Sequence, residues 1–136
     1  MFIFKNNSQT HESKIRKEEW IGVDLDGTLA EYNGWISIYH IGDPIPVMVA
    51  RIKYWIDQGC RVKIFTARVT EYPGQEQRLA GVRKTIEEWC EKHIGHRLEI
   101  TNVKDFGMIE LWDDRAVRVT KNTGQPCCSY IRGEYE

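Results

Sequence analysis

Asp24-Leu25-Asp26-Gly27-Thr28 carries two carboxylates two positions apart, and Asp113-Asp114 supplies two more far along the chain. On an extended segment residues two apart point the same way. Asp24 and Asp26 can therefore face a common centre while Leu25 packs inward. Gly27 allows a sharp turn directly afterwards. Carboxylates this close repel one another unless a cation or a shared proton lies between them. A hard divalent ion with oxygen ligands answers that need. Mg²⁺ keeps several waters of its own, so one or two carboxylates are enough to hold it. Asp24, Asp26, Asp113 and Asp114 are the expected metal ligands, and Mg²⁺ is the expected cofactor.

A carboxylate beside such an ion is equipped to attack the phosphorus of a phosphate ester and to be freed later by water. Asp24 is the expected nucleophile. Asp26 is the expected acid for the leaving oxygen and the base for the incoming water. Lys104 adds a positive charge to that of the ion where oxygen charge develops. Thr66, with backbone N–H groups nearby, holds the phosphoryl oxygens, and Gly27, Thr28, Ala67 and Arg68 are the expected substrate contacts, although Arg68 and Arg115 are equally suited to form ion pairs.

The elements that must position these groups are legible in the pattern. Trp20–Asp24 is a short apolar run ending in acids and a glycine, as a buried parallel strand would be. Asp43 and Pro44 are placed to start a helix, with Ile45, Met48, Val49, Ile52 and Trp55 at helical spacing and Gly59 as its stop. Arg61–Thr66 reads as a second strand. A loop with Pro73-Gly74 leads to a second helical stripe through Leu79, Val82, Ile86, Trp89 and Cys90, closed by Gly95. Leu98–Thr101, Met108–Trp112 and Ala116–Thr120 read as three more strands, and Phe2–Phe4 as one short strand in a polar arm over residues 1–18. Strands alternating with helices predict an α/β fold: a Rossmann-like three-layer sandwich on a mainly parallel sheet, in one domain over 19–136. Ligands of such sheets sit beyond the carboxyl ends of the strands, where the acids, Thr66, Arg68, Thr101, Asn102 and Lys104 all fall.

With these residues in view, Val23–Leu29 resembles the first motif of the haloacid dehalogenase superfamily of phosphatases. Ile64-Phe65-Thr66-Ala67-Arg68 is similar to the second motif. Lys104 stands for the cation of the third, nine positions before Asp113, and Leu111-Trp112-Asp113-Asp114-Arg115 resembles the acidic fourth. The resemblance covers residues 19–121, in the family's order. It implies Mg²⁺, an aspartyl-phosphate intermediate, and a metal contact from the backbone carbonyl of Asp26. Family members often carry a cap domain over the site. Residues 30–43 are too few for one and leave only a short flap, so the implied enzyme is nearly capless. An open site suits a nucleic-acid terminal phosphate, as in the phosphatase half of polynucleotide kinase/phosphatases. It equally suits a nucleotide or sugar phosphate enclosed by a homo-oligomer. Tyr32, Trp35 and Tyr39 of the flap are placed either to pack it or to stack on a base or sugar.

Composition narrows the classes. The 136 residues carry a net charge of -1, so no general basic footprint for nucleic acid exists; Arg61, Lys63, Arg115, Arg118 and Lys121 either form a local basic path or scatter. No apolar run approaches the roughly 20 residues of a membrane span, and the start of the chain lacks a secretion signal; a cytoplasmic protein without membrane partners is expected. Cys60, Cys90, Cys127 and Cys128 form no CxxC pair and read as reduced thiols. Cys90, His93 and His96 lack a fourth zinc ligand and read as helix-end residues. The competing class is a non-catalytic or phospho-accepting regulatory domain on the same fold. Asp26 argues against a phospho-accepting signal, because an acid there hastens dephosphorylation.

Overall fold

The computed structural model describes residues 16–128. Most of the expected arm, including Phe2–Phe4, lies outside them. Strand β1 (Trp20–Asp24) is followed by helix α1 (Pro46–Asp57) and β2 (Val62–Phe65). A 3₁₀ turn (Ala67–Val69) leads to helix α2 (Glu76–His93), then to β3 (Glu99–Thr101) and β4 (Met108–Trp112). The strands form one sheet in the order β3-β2-β1-β4, and every pairing is parallel. This is an α/β, Rossmann-like arrangement.

Register assigns the two faces. Ile21 pairs with Val62, Val23 with Ile64, and Ile64 with Ile100, so these side chains share one face. They join Met48 and Ile52 of α1 and Val82, Ile86, Trp89 and Cys90 of α2 in a single apolar cluster. Both helices therefore cover the same face, as right-handed crossovers advancing β1 to β2 to β3 require. Ile64 is fully buried at the centre of this layer. Ile64→Ala is expected to cost about 2–5 kcal/mol, read as a lower urea midpoint with an unchanged slope.

Among the described residues no helix covers the second face, so the expected three layers are two. The cause is the short connection between β3 and β4. It must pass from one edge of the sheet to the other, yet it has too few residues for the dozen or so that a helical crossover takes. Residues 102–107 instead lie along the second face. Asp105 accepts the Trp20 indole N–H at 2.9 Å and the Gly107 N–H at 2.8 Å. Trp20 is only 1% exposed, and the Lys63 ammonium stands 4.4 Å from the centre of its ring.

Two other boundaries differ from expectation. Helix α1 begins at Pro46 rather than Pro44, because residues 44 and 45 are already paired. Pro44 bridges Ala30, and Ile45 N–H donates to the Leu29 carbonyl at 2.8 Å. Pro46 then takes the first helical turn, where a missing N–H costs nothing. The expected fifth strand at 116–120 does not join the sheet. Val119 makes an isolated antiparallel bridge to Pro126, and Thr120 N–H donates to Gln125 at 2.8 Å. Asn122 and Gly124, at φ 66 and 74, fold the chain back on itself before it can pair.

Candidate functional site

The end of β1 is built around one carbonyl. Leu25 C=O accepts the N–H groups of Thr28, Leu29 and Ala30 at 3.3, 3.0 and 2.8 Å, and both Leu25 and Leu29 are fully buried. This compact turn swings Thr28 back toward Asp24. Gly27 adopts φ +91, and a Cβ there would lie 2.6 Å from Asp114 Oδ2. Only glycine meets both conditions. Gly27→Ala is expected to displace the Asp114 carboxylate and to destabilise the fold by at least about 1–2 kcal/mol from backbone strain alone. Urea denaturation and a structure of the variant check this.

Pairing of β1 with β4 brings the far acids alongside. Asp24, Asp113 and Asp114 each offer an oxygen, and these oxygens lie within 4.8 Å of one another. Thr28 ties the two strand ends together. Its Oγ1 stands 3.4 Å from both Asp24 Oδ2 and Asp114 Oδ1 and accepts the Asp114 N–H at 3.0 Å. Asp113 Oδ1 accepts the Arg115 N–H at 2.8 Å. The electrostatics are those of a site short of positive charge. The Asp24 carboxyl is pushed up to about 8, first by burial and then by the charges of Asp113, Asp114 and Asp26. A hard divalent cation fits such a donor set. It would offset the repulsion, and carboxylate oxygens are the ligands it prefers.

Asp26 stands apart from that trio. Arg68 Nε donates to its Oδ2 at 2.8 Å and Arg68 Nη2 to its Oδ1 at 2.9 Å. The same guanidinium donates to the carbonyls of Ser37, Ile38 and His40 in the flap, at 3.3, 2.7 and 2.7 Å. Thr66, at the end of β2, is only 3% exposed. Its Oγ1 accepts the Arg68 N–H at 3.1 Å, and its own N–H donates to Thr101 at 2.9 Å.

A cleft of about 430 Å³ opens over this rim. Asp24, Asp26, Thr66, Ala67, Arg68, Asp113 and Asp114 all line it, beside Tyr32, Trp35 and Ile38 from the flap. Gly27 and Thr28 lie behind the acids, in contact with Asp114. Lys104 does not line the cleft; it is exposed on the segment that crosses the second face. Arg115 lines the cleft in its stead. Tyr39 turns away from the cleft and lies against Gly81 of α2.

The sequence pattern placed the acids but missed two ties, from Thr28 across to Asp114 and from Arg68 to the flap. The four-residue offset between Asp24 and Thr28 hints at the first. The second pairs a side chain with distant backbone carbonyls, which leave no mark on residue type. Among the described residues Cys90, His93 and His96 form no ligand cluster, and the Cys90 thiol is pushed up to about 12 by burial. No helix among them is long and apolar enough to cross a membrane.

Neither the protein-family models nor the curated proteins contain a match to the chain. Among solved structures, the fold is similar to a conserved protein of Bacteroides thetaiotaomicron. The likeness has 22% identity and a TM-score of 0.51, over 71% of this chain and 76% of that one. At that identity it bears on the fold alone.

Proposed function

We propose that the chain is a Mg²⁺-dependent phosphomonoester hydrolase of the haloacid dehalogenase type, working through an aspartyl phosphate on Asp24. The observation that carries this reading is the convergence of Asp24, Asp113 and Asp114 at two adjacent strand ends, beside Asp26 and Thr66 in one cleft. Mg²⁺ held by Asp24, Asp113 and Asp114 would supply charge neutralisation of the phosphoryl oxygens and of the acids themselves.

In this reading an Asp24 oxygen forms the bond to phosphorus while the ester oxygen departs. Asp26 gives that oxygen a proton. It then takes one from the water that cleaves the acyl phosphate and restores Asp24. Thr66 positions a phosphoryl oxygen. Arg115 lines the cleft, and all five N–H groups of Arg68 are taken. Among the described residues the Arg115 guanidinium has no hydrogen-bond or ion-pair partner, and in this reading it meets the phosphate, the part expected of Lys104. Tyr32 and Trp35, 41% and 57% exposed, flank the entrance. A planar nucleoside and a sugar are both compatible with them.

The test is a turnover screen with sugar phosphates, nucleotides and oligonucleotides phosphorylated at the 3′ or 5′ end, with Mg²⁺ and with chelator. Mg²⁺-dependent phosphate release from one of these classes supports the reading. No release from any of them, by a folded protein that binds Mg²⁺, removes it and favours a regulatory domain.

A further inference from the structure

We propose that Arg68 is a positioning residue that couples the 30–43 flap to the carboxylate of Asp26. This rests on the reading of Asp26 as the acid and base of the site. Asp26 is the cleft carboxylate that does not join the cation cluster. Both of its oxygens are gripped by Arg68. The other three N–H groups of that guanidinium hold carbonyls of Ser37, Ile38 and His40. Trp35, also of the flap, places its ring 5.0 Å from the guanidinium carbon. The Arg68 side chain is 5% exposed, and its backbone is fixed by Thr66 Oγ1.

This arrangement has no slack. A guanidinium offers five donors in one rigid plane, and here every donor is spent, two on the acid and three on the flap. Any shift of the 37–40 backbone must move the plane or break bonds to it. A moved plane turns the Asp26 carboxylate, because two parallel bonds fix orientation as well as distance. Among the described residues, the flap's other hydrogen bonds to the rest of the protein lie near its base. Glu31 N–H donates to Asp43 at 2.8 Å, Ala30 bridges Pro44, and the Trp89 indole N–H donates to Gly42 at 3.1 Å. In its middle Ile38 packs against the core and Tyr39 against Gly81, and the hydrogen bonds to the body come from Arg68. A substrate that presses on Trp35 or Ile38 thereby acts on the group that handles the proton.

The test uses the full chain with Mg²⁺ and the variant Arg68→Lys, which keeps the charge but not the fork. Two substrates differ in their need for a proton: an alkyl phosphate, and 2,4-dinitrophenyl phosphate, whose leaving group departs unaided. The expected result is read in kcat/KM, which reports the phosphorylation step and not the later water step that Asp26 serves for both esters: a loss of about 10²-fold on the alkyl ester against less than about threefold on the activated one. Equal losses on both esters would make Arg68 a structural staple and overturn the proposal. A second arm needs neither turnover nor an intact Arg68 variant. In Asp26→Ala, amide hydrogen exchange at residues 36–41 should quicken by about tenfold or more, although nothing in the flap has changed. Exchange equal to wild type would overturn the coupling. A wild-type protein that releases phosphate from no substrate of the turnover screen defeats the proposed function, and the exchange arm still decides whether acid and flap are coupled.

Discussion

Asp24→Asn is expected to lower turnover of any phosphate ester cleaved by the wild type by about 10³-fold or more, since the amide is no nucleophile toward phosphorus. The same change should make the metal-free protein more stable. With no cation, Asp24 is crowded by burial and by Asp113, Asp114 and Asp26, and its carboxyl is pushed up from 3.8 to about 8. The folded state therefore keeps a proton that the unfolded chain releases near pH 4. Wherever the folded state binds more protons, stability falls as pH rises. This group's contribution is intact below about pH 4, declines through the window up to about 8, and is gone above it. Asparagine carries no charge and has no such window. At pH 8 in chelator the variant should melt about 2–6 °C above wild type, and the difference should shrink toward pH 4. A variant with full turnover would remove Asp24 as nucleophile. One that melts below wild type at pH 8 would remove the account of crowding.

Removing the cation should have an effect of similar size. Chelation is expected to stop turnover, with recovery on adding Mg²⁺. Asp113→Asn should raise the Mg²⁺ concentration for half-maximal rate by about 10–100-fold. Mg²⁺ should also stabilise the wild-type fold, by about 2.7 kcal/mol at a hundredfold excess over its dissociation constant. It should stabilise Asp113→Asn much less at the same concentration. Titrating Mg²⁺ while recording both the melting temperature and the rate checks the pair. A rate indifferent to chelator would exclude the ion from the reaction.

The ends of β1, β2 and β4 were legible because a buried parallel strand is an apolar run that stops abruptly at polar groups. Trp20–Asp24 and Met108–Trp112 have the bounds that the pattern predicts. Both helical stripes were legible for the same reason, with Gly59 and Gly95, at φ +86 and +90, closing them. What the pattern hid was set by backbone pairing between distant segments. The Ala30–Pro44 bridge delays α1. The brief link after Thr101 forgoes a third layer and leaves Lys104 outside the lining of the cleft. The turn at Asn122 diverts a stretch that has a strand's composition. Arg68 read equally as a substrate contact and as half of an ion pair; in the fold it pairs with Asp26, and what residue type did not show is its hold on three main-chain oxygens.

The pairing of β1 with β4 also sets an order of events during synthesis. Thr28 and Asp114, which touch across the two strand ends, are 86 residues apart in the chain. A nascent chain can close its helices early, but contacts of such separation pay the largest loop-closure cost and form late. Until β4 emerges from the ribosome, the strand bearing Asp24 has an open side and lacks two of its acidic companions. The chain can thus fold most of its core before Asp24, Asp113 and Asp114 come together, and a product ending before Met108 would lack two of the three.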